Sequence, residues 1–72
     1  MTAAYTTVTS GPDEFVLRAG RVRWLAWRSR NGRWYWHRLA GGRVTDSGSY
    51  ASRRSCRRAI LARIAAERDR QR

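Results

Sequence analysis

The sequence contains no lysine, one cysteine, one histidine, one proline and five acidic residues in 72. Each scarcity excludes something. Cys56 alone cannot form a disulfide within the chain, and Cys56 with His37 cannot supply the four ligands of a tetrahedral zinc site. Two staples that small domains commonly use are therefore missing, and dimerisation or ligand binding is the expected supplement to a small core. Asp13, Glu14, Asp46, Glu67 and Asp69 are scattered and show no paired-carboxylate or metal-ligand spacing. There is no glycine-rich phosphate loop. His37 alternates with Tyr35 and Leu39, as a half-buried structural histidine does, and Cys56 falls on an apolar helix stripe, where a thiol is packing instead of a nucleophile. The chain reads as a non-enzyme with no cofactor, no metal and no small-molecule substrate. No apolar run reaches the ~18 residues needed to span a bilayer, and no basic segment followed by an apolar one opens the chain. The expectation is a cytoplasmic protein without a membrane partner, and a free cysteine fits a reducing compartment.

What the sequence does hold is arginine. All sixteen basic residues are arginine, for a formal net charge of +11. Codon bias in a GC-rich genome can replace lysine with arginine, but it does not create a charge imbalance. A guanidinium group pairs with phosphate through a planar fork and stacks on rings, so this balance points to a polyanion. The chain is long enough for one domain only.

The organisation follows from periodicity and turn residues. Residues 1–13, rich in Thr, Ala and Ser and ending in Ser10-Gly11-Pro12-Asp13, lack apolar periodicity and charge and read as a flexible arm. Residues 14–67 read as a single βββα domain of the α+β class, a three-stranded antiparallel sheet packed on one C-terminal helix. Phe15-Val16-Leu17 is an extra edge strand at its start. Arg21 to Arg30 forms a strand, Asn31-Gly32 suggests a type I′ hairpin turn, and Arg33 to Leu39 returns. Gly41-Gly42 turns the chain into a shorter strand from Arg43 to Ser47. Ser52 is the expected N-cap of a helix to about Glu67, with Cys56, Ile60 and Ile64 as its core stripe, widened by Ala59 and Leu61. Residues 68–72 form a basic tail that frays.

Side chains alternate across a strand, so Trp34, Trp36 and Arg38 share one face while Tyr35, His37 and Leu39 share the other. Both faces carry aromatics. One helix covers one sheet face, and either set could be the uncovered one. Two constellations bear on function. Arg53, Arg54, Arg57 and Arg58 crowd the first two turns of the helix, where the macrodipole favours acidic residues; an anion site explains them, and so does a solvated basic helix that tolerates the penalty. Arg21, Arg23, Trp24, Trp27, Arg28, Arg30, Arg33, Trp34, Trp36 and Arg38 interleave cations and rings along the hairpin, as a ribbon in the major groove or a stacking platform for bases does. Some of these aromatics are core, and stacking of arginine on tryptophan occupies others.

The run Tyr35-Trp36-His37-Arg38-Leu39, then Gly41-Gly42-Arg43-Val44, then Ser47-Gly48-Ser49-Tyr50-Ala51-Ser52-Arg53-Arg54 and a helix carrying Ile60 and Ile64 resembles the YegP-like family of small uncharacterised proteins. The resemblance spans residues 21–66. It implies three strands and one helix, used in dimers or as tandem repeats, and no known chemistry. The same spacing resembles the AP2-like DNA-binding fold of plant regulators and phage-type integrase N-termini, in which a sheet enters the major groove through Arg and Trp. That resemblance implies Arg21, Arg23, Trp24, Arg33, Trp34, Trp36 and Arg38 as sheet contacts.

Taken together, the expectation is a nucleic-acid-binding module, DNA ahead of RNA, of the kind found in small phage or mobile-element regulators. Its contacts would be Arg21, Arg23, Trp24, Arg28, Arg30, Arg33, Trp34, Trp36 and Arg38 on the sheet and Arg53, Arg54, Arg57 and Arg58 on the helix. The alternative is a protein-interaction module, either a homodimer burying the open sheet face or a basic inhibitor docking on an acidic host protein. The first reading leans on guanidinium groups gathered on one continuous surface.

Overall fold

A computed structural model of the chain describes residues 4–70. Five strands, β1 (Thr6–Ser10), β2 (Glu14–Ala19), β3 (Val22–Arg28), β4 (Trp34–Ala40) and β5 (Arg43–Tyr50), precede one helix, α1 (Arg53–Arg70). The strands form one antiparallel meander in the order β1-β2-β3-β4-β5, and the helix lies across β3, β4 and β5. The class is α+β as expected, with five strands in place of three and an extra edge strand: the Phe15-Val16-Leu17 strand is β2, and it is interior because β1 pairs with its outer side.

Strand β1 corrects the reading of residues 1–13 as a flexible arm. Residues 6–10 pair with β2 through Thr6 opposite Arg18 and Ser10 opposite Phe15, and residues 1–3 lie outside the described residues. Every β1 side chain is exposed, so no apolar alternation marks it. Backbone hydrogen bonds to a strand already fixed by its own core contacts hold it in place. Both edge strands carry a register shift, at Val8 in β1 and at Thr45 in β5, which twists the edges away from further pairing. The helix also runs past Glu67 to Arg70. Arg68 and Arg70 in its last turn suit the negative end of the macrodipole, and the remainder of the supposed tail, residues 71–72, lies outside the described residues.

The Asn31-Gly32 turn forms, but not as type I′. Gly32 alone has positive φ (86°); its N–H donates to the Ser29 carbonyl, and the Ser29 N–H donates to the Arg33 carbonyl. This is a type I turn at Arg30-Asn31 closed by a glycine bulge. The Asn31 side-chain oxygen accepts the Arg33 N–H at 3.0 Å, which fixes the loop. Ser52 caps α1 as expected: its hydroxyl accepts the Ser55 N–H at 3.1 Å, and its carbonyl accepts the Cys56 N–H.

The core lies between helix and sheet. Phe15, Leu17, Trp24, Ala26, Trp34 and Trp36 point inward to meet Cys56, Ile60 and Ile64. Trp24 and Trp36 pack at 5.7 Å between ring centroids, and Phe15 meets Trp34 at 5.9 Å. Register makes room for the largest ring: the cross-strand neighbours of Trp36 are Ala26 on β3 and Gly48 on β5. A Cβ on Gly48 would fall 2.6 Å from Trp36 Nε1. Gly48→Ala is therefore expected to lower unfolding stability by about 1–3 kcal/mol through forced displacement of the indole. Urea denaturation measures it; an unchanged midpoint would show that the ring is not held against this strand.

Candidate nucleic-acid interface

Alternation along β3 and β4 sorts the hairpin residues into two groups. Trp24, Trp34 and Trp36, expected to contact nucleic acid, are 0%, 4% and 1% exposed beneath the helix, which removes them from any contact surface. Arg28 and Arg38 project on the same side. Arg28 Nε donates to Asp13 at 2.9 Å. Arg38 is held by Glu67 (2.7 Å) and Thr45 (2.7 Å) and lies 5.5 Å from the Trp24 ring centroid. Its hydrogen bonds to Glu67 raise the Arg38 pKa above the ordinary guanidinium value. Both arginines serve the fold first.

The uncovered face carries the opposite set, Val16, Leu25, Trp27, Tyr35, His37 and Leu39, all half-buried. Trp27 and Tyr35 stack at 6.2 Å between ring centroids with planes 25° apart, and His37 meets the Trp27 ring edge-on at 4.8 Å. Arg18, Arg23 and Arg33 belong to this face by alternation, and the Arg33 guanidinium donates to Ser49 Oγ at 3.1 Å. Tyr35 was not among the expected contacts; its place beside Trp27 follows from the opposite parity to Trp34.

The four helix arginines come together. Arg53, Arg54, Arg57 and Arg58 line an open groove of ≈ 490 Å³ with Leu61. They are not equivalent. Arg53 stacks on Phe15 (5.0 Å) and Trp34 (5.8 Å) and donates to Ser10, closing the end of the core. Arg57 lies over the Tyr5 ring at 5.9 Å and donates to its hydroxyl at 3.1 Å. Arg54 and Arg58 are exposed and make no ion pair among the described residues. Stacking on a ring contributes roughly 0.5–2 kcal/mol, which offsets the unfavourable placement of Arg53 at a positive helix end.

Strand direction places this groove beside the hairpin tip. Tyr50, just before the helix, pairs with Trp34, just after the Ser29–Arg33 turn, so Arg30 and Arg33 share one end of the molecule with Arg53, Arg54, Arg57 and Arg58. Arg21 and Arg23 sit at the other end, with Arg18, Arg38, Arg43, Arg63, Arg68 and Arg70. The guanidinium groups thus do not share one surface, as the sequence reading required, but two ends. The far end contains two of the three ion pairs of the described residues, Arg38 with Glu67 and Arg63 with Asp46. At the near end Asp13 is taken by Arg28, and the Glu14 carboxylate folds over Gly11, where a Cβ would meet it at 2.5 Å. No known protein family, curated protein or solved structure matches the chain. Geometry and charge alone distinguish the near end, where Arg30, Arg33, Arg54 and Arg58 are left without a carboxylate partner among the described residues.

Among the described residues no three His, Cys, Asp or Glu side chains gather in one place, and no helix is long and apolar enough to cross a membrane. Cys56 is fully buried, and burial pushes its thiol up to about 11. The folded protein should therefore resist a thiol reagent at pH 8 and react only on unfolding. The neutral thiol's contribution to stability is present in full below about pH 9 and is lost as pH rises toward about 11. Rapid labelling of the native protein would contradict the packing described here.

Proposed function

We propose that this protein is a nucleic-acid-binding module, DNA ahead of RNA, that holds the phosphate backbone with the arginines of its hairpin-tip end and is not an enzyme. The observation that carries this reading is the set Arg30, Arg33, Arg54 and Arg58, brought to one end from two distant stretches of sequence, with both nearby carboxylates already occupied or turned aside. Guanidinium groups free of carboxylate partners are the ones able to displace counterions from phosphate. The total charge of +11 adds long-range attraction that orients any approaching polyanion. A small phage or mobile-element regulator is the kind of protein this would suit.

The AP2-like resemblance implies a sheet that reads the major groove through Arg and Trp. Burial of Trp24, Trp34 and Trp36, and the pairing of Arg38 with Glu67, leave Arg21, Arg23 and Arg33 of that set for such a role. A second reading rests on the half-buried apolar residues of the open sheet face, which also suit a protein partner, either a second copy or an acidic host protein.

Salt separates the two. With about four phosphate contacts, log K against log salt should fall with a slope of roughly −3 to −4, an affinity loss of about a hundredfold between 50 and 200 mM. Replacing both exposed arginines, Arg54→Gln with Arg58→Gln, should make the slope shallower by about 2 without changing thermal stability. Anisotropy of a labelled mixed-sequence oligonucleotide measures both, and a flat salt response would refute the reading.

A further inference from the structure

We infer that the open sheet face binds unpaired bases, so that the preferred ligand is single-stranded nucleic acid, with Trp27 and Tyr35 as the stacking platform and Arg30 and Arg33 on the adjoining phosphates. This rests on the nucleic-acid reading above and specifies its ligand. Two open depressions meet at Tyr35. One, of ≈ 460 Å³, is lined by Trp27, Ser29, Arg30, Asn31 and Tyr35. The other, of ≈ 290 Å³, continues past Tyr35 to His37, Ser47 and Ser49. They form a track that begins at the basic hairpin tip and runs along β4. Rings with exposed area at its start and hydroxyl and imidazole groups farther on suit bases whose π-faces and edges are both free. Paired bases keep their π-faces inside the duplex and cannot use such a platform.

Charge favours this occupant over a second copy of the chain. Among the described residues the only carboxylate on the face by alternation is Glu14, the cross-strand neighbour of Trp27, whose carboxylate is turned onto Gly11, whereas Arg18, Arg23 and Arg33 all belong to it. Two such faces brought together carry like charges toward one another, while a phosphate backbone is complementary to Arg30 at the hairpin-tip end of the track and to the arginines elsewhere on the face.

The test uses the full chain with labelled 12-nucleotide oligo(dT), oligo(U) and a 12-base-pair mixed duplex at one salt concentration. Both single strands should bind at least tenfold tighter than the duplex, and the ratio of dT to U reports the sugar preference. Trp27→Leu and Tyr35→Leu should each weaken single-strand binding about tenfold or more, while Trp27→Phe and Tyr35→Phe, which keep a ring and the packing, should stay within about threefold. Single strands should also quench part of the intrinsic tryptophan fluorescence, and Trp27→Phe should abolish that quenching because the other three tryptophans are buried. The Phe variants and the quenching decide the matter even if a Leu variant unfolds. Equal affinity for duplex, with the ring-removing variants unaffected, would overturn this inference and leave the backbone-binding function standing. A dimer at micromolar concentration that Trp27→Leu dissociates would likewise overturn it. Failure of every oligonucleotide to bind at 50 mM salt would remove both.

Discussion

The two-residue alternation of β3 and β4, locked by a glycine-bulged turn, is the constraint on which the rest of this molecule depends. With five large rings and a histidine packed into the fourteen residues from Trp24 to His37, the hairpin could bury either parity. It buries Trp24, Trp34 and Trp36 because the cross-strand neighbours of Trp36 are Ala26 and Gly48, the two positions that leave space for an indole beneath a helix. A one-residue slip of β4 against β3 would turn Trp34 and Trp36 outward and Tyr35 and His37 inward. The same choice that builds the core therefore creates the open face, where Trp27 and Tyr35 remain with arginines at both ends.

Arginine has two distinct occupations here. Arg38, Arg53, Arg57 and Arg63 lie over Trp24, Phe15 and Trp34, Tyr5 and Trp36 respectively, so the margins of a core too small to close itself are covered by guanidinium planes and their aliphatic stems. In a domain with no disulfide this is a direct substitute for apolar area. The arginines that cover no ring and form no ion pair among the described residues, Arg30, Arg33, Arg54 and Arg58 at one end and Arg18, Arg21, Arg23, Arg43, Arg68 and Arg70 at the other, carry the charge available to a ligand.

Much of the fold was legible in the sequence, and the failures have physical causes. The hairpin, strands β2 to β5, the Ser52 cap and the Cys56, Ile60, Ile64 stripe follow from turn chemistry and period. Strand β1 was invisible because an edge strand exposed on both faces needs only backbone partners, and Thr-Thr-Val-Thr-Ser has no apolar rhythm to betray it. The turn type was misread because Asn-Gly suits positive φ at both residues, whereas Arg30 takes part in the turn and only Gly32 adopts it. At the candidate site the helix arginines were found together as their spacing implied. For the sheet half the sequence left the uncovered face open and its expected contacts mixed both parities, since composition marks Trp as interfacial and core alike. The small residues opposite Trp36 were the available signal, and reading them requires the register first.

The sorting of the four tryptophans and its consequence for binding meet in one observation, the indole N–H signals in a proton–nitrogen correlation spectrum during titration with a single-stranded oligonucleotide. The account requires the Trp27 signal to move strongly while those of Trp24, Trp34 and Trp36 stay near their positions in the free protein. Movement of the three buried indoles with Trp27 unmoved would contradict it.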